Sequence, residues 1–164
     1  MKKLYIFGDV HFSSLNAWSK KVGDKFIAWF KETFKNVDSD DEILFLGDIT
    51  EKDTNPGDVI DQVTELFLFC SLMFKKTYVI MGNHDLKLFK DVPQYSIKFL
   101  NRFNNVSVIK DVTDIISNDI KVRCLPFIRK EGINVNKYYS EFDWSSYEEA
   151  DLTVGHWNKL NPKN

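Results

Sequence analysis

Three short apolar runs constrain this chain more than anything else in it, because each stops at a glycine followed at once by polar residues. Residues 3–7 (KLYIF) run into Gly8-Asp9-Val10-His11 and residues 42–46 (EILFL) into Gly47-Asp48. Residues 77–81 (TYVIM) run into Gly82-Asn83-His84-Asp85. Between them lie two stretches with helical spacing. Ala17–Phe34 repeats apolar side chains at Trp18, Val22, Phe26, Trp29, Phe30 and Phe34, and residues 57–76 carry a broad apolar face after Pro56. Apolar runs of strand length that alternate with helices are the pattern of a parallel sheet buried between covering layers. An α/β protein is expected, with the Phe, Trp and Leu residues of both helices in its core.

The second half is less regular. Residues 93–103 (PQYSIKFLNRF) read as a helix. Residues 106–110, 113–117 and 120–127 read as short strands, with Ser117-Asn118-Asp119 as a hairpin turn. Residues 145–150 (SSYEEA) suggest a helical turn opened by a serine cap, and residues 151–155 (DLTVG) a last strand that leads to His156. No repeat or linker divides the 164 residues, so residues 1–164 are read as one domain. With 14 Phe the chain can fill a sizeable core.

Several features carry only ordinary readings. Cys70 and Cys124 lie in apolar runs and read as small hydrophobes. Residues 38–42 (DSDDE) lack the glycine and distal glutamate of a calcium loop and read as a solvated turn. The net charge of −2 gives no global attraction to a polyanion, and the small basic patches KKTY and FIRKEG read first as solvated surface, with contact to phosphate backbone the lesser alternative. The apolar run before Asp9 is too short for a signal peptide, and no window approaches a membrane span. A soluble, cytoplasmic protein that does not enter a membrane is the expectation.

The polar punctuation is not ordinary. Ligands collect at the carboxyl ends of strands in an open parallel sheet, so the loops at Asp9 and His11, at Asp48, at Asn83 and His84, and at His156 should converge on one edge. The chain has only three histidines, and all of them follow a strand within three residues of a glycine. Asp, Asn and His side chains together suit first-row divalent metals. Two such ions about 3.5–4 Å apart clamp a phosphate and activate water.

With these loops in hand, the sequence resembles the calcineurin-like metallophosphoesterases. That family carries Asp-x-His, Gly-Asp-x-x-Asp, Gly-Asn-His-Asp/Glu, a lone His after a strand, and Gly-His-x-His. Here "DVH", "GDITE", "GNHD" and "GHW" match the first four. Within the family, "GNHDLKLFKD", "CLPFIRK" and "ADLTVGHWNKLNP" are similar to the phage recombination endonuclease subunit and its SbcD-type DNA-repair kin. The resemblance implies a layered α/β/β/α sandwich and a phosphodiester hydrolase of the nuclease type that acts on DNA. It also implies two divalent ions, Mn2+ first, with Mg2+, Fe2+ and Zn2+ as alternatives. A coiled-coil ABC-type ATPase subunit is the implied partner.

Carried over by residue, Asp9, His11 and Asp48 would surround one metal. Asp48 would bridge to a second, held also by Asn83 and His156. His84 would protonate the leaving oxygen. Glu51 stands where the family has an Asp that orients this histidine, and Lys52 where protein phosphatases have an Arg that touches substrate. The fifth motif, Gly-His-x-His, is absent, and the sequence ends eight residues past His156. A C-terminally incomplete sandwich is therefore expected, with one imidazole fewer at each metal and with apolar sheet surface free for self-association. Two other readings stay open: a phosphodiesterase or phosphatase for small nucleotides, and a silent relative that serves as a binding module.

Overall fold

The computed structural model describes residues 2–51, 57–89, 92–128 and 135–156. Four parallel strands form the first sheet, in the order β1 (Leu4–Phe7), β2 (Glu42–Phe45), β3 (Lys76–Ile80) and β6 (Val106–Ile109). Helices α1 (Ala17–Phe34) and α2 (Gly57–Met73) make the crossovers between the first three strands. A hairpin of β4 (Leu86–Phe89) and β5 (Val92–Tyr95) follows the third strand-end loop. The second sheet holds β7 (Thr113–Ser117), β8 (Ile120–Leu125) and β9 (Leu152–Gly155), with β7 antiparallel and β9 parallel to β8.

Alternation along the strands divides the core in two. Ile43, Phe45 and Val79 face the helices and join Phe30, Phe34, Val63, Leu66 and Phe67. Leu44, Ile80 and Ile109 face the other way, onto Ile115, Val122 and Cys124 of the second sheet. This period of two places one sheet on the other. Beyond the second sheet lie α3 (Val135–Ser140) and a 3-10 turn (Trp144–Ser146). Their aromatic rings pack on one another and over Arg123. The protein is an α/β sandwich of helices, two sheets and a short outer helix. Both cysteines are buried and unpaired.

The structure corrects several expectations. Residues 93–103 are not one helix: β5 takes the first part, and a 3-10 helix spans Lys98–Arg102. Ile97 and Leu100, both fully buried, are three residues apart, which is the 3-10 period. The second helix stops at Met73 because Lys75 donates its N–H to the Asp41 carbonyl and the chain is already entering β3. Residues 38–42 are not all solvated. Asp41 is buried and accepts from the Lys3 N–H at 2.8 Å, tying β1 to β2. The hairpin at Asn118-Asp119 is as expected, with φ of 53° and 66° at its two central residues, the signs of a type I′ turn.

The helices are also less buried than their spacing suggests. Trp18, Val22 and Trp29 of α1 stay 69%, 47% and 52% exposed, and Leu68 and Leu72 of α2 are exposed too. The buried residues of α1 are Gly23, Ile27, Phe30 and Phe34. Trp18, Val22 and Trp29 therefore form a second apolar stripe, about 130° around the helix from the first.

Candidate metal centre

The carboxyl ends of β1, β2 and β3 lie side by side, and parallel hydrogen bonds continue past them. His11 N–H donates to Asp48 O and Phe12 N–H to Ile49 O, both at 2.8 Å, and Glu51 N–H returns to Phe12 O at 2.9 Å. The first two ligand loops are thus zipped together by backbone. Asp9, His11 and Asp48 have φ of 28°, 52° and 47°. Outside the hairpin turn, these are the described non-glycine residues in the left-handed region, which costs each about 1–2 kcal/mol. Strain of this kind concentrates where side chains must be aimed at a ligand.

Two glycines permit the close packing. A Cβ on Gly82 would lie 2.1 Å from Asp48 N and 2.2 Å from Asp48 Oδ1. Gly47, at φ 99°, would carry one 2.7 Å from Gly82 N. The loops after β2 and β3 touch where neither tolerates a side chain.

Two donor sets result, and Asp48 belongs to both. His11, Asp48 and His84 have ligand atoms within 4.8 Å of one another, as do Asp9, Asp48 and His156. Asp48 is buried, accepts the His84 N–H at 2.8 Å through Oδ1, and presents Oδ2 to His156 Nε2 at 3.2 Å and to His11 Nε2 at 3.6 Å. Burial alone would push its carboxyl up. The His156 ring, the His84 N–H and the charges of both imidazoles outweigh that and hold it below its ordinary value.

His156 shows what the second set is built for. Its Nδ1–H donates to Leu46 O at 2.8 Å, which leaves Nε2 as an acceptor. That nitrogen faces Asn83 Oδ1 at 2.8 Å and Asp48 Oδ2 at 3.2 Å. As oriented, one nitrogen and two oxygens meet there, an arrangement that a proton on Nε2, a turned Asn83 amide or a metal ion reconciles, and a metal ion takes all three as ligands. Burial lowers the His156 proton affinity, but Asp48, the Leu46 carbonyl and Asp9 raise it above the usual value. In the first set, His11 Nδ1 is buried without a hydrogen-bond partner, though Glu51 Oε2 is 3.0 Å away. Orphaned and converging donors of this chemistry fit a pair of divalent cations.

All of the expected residues that the structure describes meet here, but two groupings differ from expectation. Asp9 lies with His156, its Oδ1 3.6 Å from Nδ1, and not with His11. His156 is anchored at the end of β2, the strand between β1 and β3, so its ring reaches both the Asp9 and Asn83 loops. His84 takes the vacant place beside His11, the two rings edge to face at 5.2 Å. The second difference concerns Glu51. Its carbonyl, not its carboxylate, receives His84 Nδ1, while the carboxylate turns to His11. Lys52 lies outside the described residues.

Asp85 was read only as the end of a motif, yet it is the buried keystone beneath the loops. Its Oδ1 accepts from Ile49 N at 3.1 Å and Thr50 N at 3.2 Å, and its Oδ2 from Gly82 N at 3.1 Å. Burial pushes its carboxyl up to about 6 even against these bonds. An acidic residue directly after an apolar run and two ligands was the available signal.

The calcineurin-like phosphoesterase profile matches residues 2–161, and the chain belongs to that family. No curated protein matches it significantly. Among solved structures it is similar to a protein of unknown function from Aquifex aeolicus (19% identity, TM-score 0.45, covering 96% of this chain and 81% of that one). It is also similar to a phosphopantetheinyl hydrolase from Mycobacterium tuberculosis (17% identity, TM-score 0.40), covering 81% of this chain and 47% of that one. Membership brings a two-metal requirement, and the two donor sets supply candidate ligands. No helix among the described residues is long and apolar enough to cross a membrane.

Proposed function

We propose that this protein hydrolyses phosphodiester bonds of DNA at a pair of divalent ions, with manganese as the working metal. The observation that carries the hydrolytic reading is the sharing of Asp48 between two donor sets whose free atoms are acceptors. The nuclease assignment rests on the similarity of "GNHDLKLFKD", "CLPFIRK" and "ADLTVGHWNKLNP" to recombination nucleases. On the same ground, a coiled-coil ABC-type ATPase is proposed as partner.

Asp48 would bridge the two ions, with His11 on one side and Asp9, Asn83 and His156 on the other. When bound, such ions neutralise phosphoryl charge and ease deprotonation of a water nucleophile. The protein's own groups do the rest. His84 is fixed by donating its Nδ1–H to the Glu51 carbonyl, so Nε2 is the nitrogen left to carry the second proton. The doubly protonated ring would hand that proton to the ester oxygen as the P–O bond breaks, returning to the neutral Nδ1–H form. The Asp48 Oδ1 bond to the His84 N–H keeps that ring beside the site. Asp85 holds the second and third loops in register.

The test is a manganese titration followed by cleavage assays on single-stranded DNA, duplex ends, a cyclic nucleotide and an aryl phosphodiester. Manganese-dependent cleavage of DNA above the small substrates is expected. Strong preference for the cyclic nucleotide would move the assignment to small nucleotides. Tight metal binding without turnover would make the protein a binding module.

A further inference from the structure

Trp18 and Val22, expected in the core, instead line a groove of about 310 Å³ that runs from α1 to the metal centre. We propose that this groove is the subsite for a nucleobase of the substrate, stacked on Trp18 beside the phosphate at the metal ions. The proposal rests on the DNA phosphodiesterase reading and deepens it.

Continuity comes first. His11 lines the groove and is also a member of the first donor set, so the two sites share a wall. A phosphate held at that set puts the neighbouring nucleoside within reach of the groove. The groove's form comes next. Trp18 and Val22 stand one turn apart on the same helix face, giving a flat apolar side. Phe26, half-buried, closes the far end against Phe12, with ring centroids 6.0 Å apart and planes at 71°. Trp18, Val22 and Phe26 are placed by the helix, which is capped by Asn16 accepting the Ser19 N–H at 2.9 Å.

Polar groups at the rim favour a heteroaromatic ring over an alkyl chain. Ser13 Oγ accepts the Leu15 N–H at 3.4 Å, so its own hydrogen is free to donate. Ser19 Oγ donates to Asn16 Oδ1 at 3.1 Å, which leaves its lone pairs to accept. A base edge carries both kinds of partner. A volume near the lower end of small-ligand sites suits one ring system and excludes a folded partner. Stacking on an exposed indole is tolerant of sequence, as a nuclease without base preference needs.

The experiment separates binding from turnover. In manganese, nucleoside 5′-monophosphates and ribose 5-phosphate are titrated by calorimetry into wild type, Trp18→Ala and Trp18→Phe. Trp18 is exposed, so the variants should fold, and thermal melting checks that. Wild type should bind the nucleotides at least about tenfold more tightly than ribose 5-phosphate, in line with the usual effect of one stacked base. Trp18→Ala should erase that difference and Trp18→Phe should keep most of it. In cleavage, Trp18→Ala should raise KM for single-stranded DNA about tenfold with little change in kcat, and leave abasic DNA unaffected. Equal binding of nucleotides and ribose 5-phosphate by wild type, or an unchanged gap in Trp18→Ala, overturns the subsite. If aryl phosphodiesters are cleaved and DNA is not, the substrate reading falls. The binding comparison still decides the subsite, because it needs no turnover.

Discussion

Two polar clusters of this protein are made from similar parts and solve opposite problems. On the outer face of the second sheet, Arg123 donates from Nε and Nη2 to the two oxygens of Asp114, each at 2.8 Å. Its guanidinium also bonds the Glu148 carbonyl and lies 5.8 and 4.9 Å from the ring centres of Trp144 and Tyr147. Donors and acceptors there are matched. At the strand ends of the first sheet, His11 Nδ1 has no hydrogen-bond partner and His156 Nε2 faces two oxygens. The backbone is strained there as well, at Asp9, His11 and Asp48. A satisfied cluster stabilises what is already folded, whereas an unsatisfied one held in place by strain awaits a ligand.

The contrast breaks or holds on measurable differences. Asp48→Asn removes an anionic donor from both sets and should erase manganese binding in calorimetry, whereas Arg123→Met should leave it unchanged. Comparable losses in the two variants would show that the clusters are not functionally distinct. His84→Gln should slow turnover by about 10²–10⁴-fold, the usual range for a general acid, with metal affinity kept. Loss of metal with activity would instead make His84 a ligand, as its place beside His11 and Asp48 also permits.

Asp85→Ala sharpens the comparison from below the site. Three backbone N–H groups lose a buried acceptor, which should cost about 3 kcal/mol in urea unfolding of the metal-free protein. It should also weaken metal binding about 10–100-fold, as outer partners of metal ligands do. Arg123→Met should cost less, about 1–2 kcal/mol, through its lost carboxylate bonds and ring contacts.

The smallest effect is in acid. The Arg123 guanidinium bonded to Asp114 holds that carboxyl below the usual carboxylate range. A carboxyl with a lowered pKa in the fold contributes stability above its unfolded value, about 3.9, and loses it as pH falls further. Unfolding midpoints measured from pH 5 to pH 2 should therefore fall more steeply in wild type than in Arg123→Met. Parallel curves would mean that the pair adds nothing to stability.

Much of the site was legible because its signals are local. The strand, glycine and ligand sequences at Asp9, Asp48 and Asn83 can be read within a few residues of each other, as can the type I′ turn at Asn118-Asp119. The bounds Ala17–Phe34 of the first helix follow from its apolar spacing. The β4–β5 hairpin was missed because strands of four residues, Leu86–Phe89 and Val92–Tyr95, are too short to establish a period of two. The exposed stripe of Trp18, Val22 and Trp29 was missed because spacing identifies an apolar face without saying what covers it.

By itself, then, the sequence determined the element types, the family motifs and the set of residues that gather at one sheet edge. These depend on side-chain period, glycine geometry and residue chemistry, all short-range properties. Tertiary structure alone decided the pairing within that set. Asp9 meets His156 because β2 lies between β1 and β3. His84 leans on a backbone carbonyl of Glu51 because β-type hydrogen bonds carry the second loop past the first. Asp85 became the keystone because three N–H groups from two loops converge on one buried carboxylate. Such pairings depend on which strand ends are neighbours in space, a long-range property that no local pattern encodes.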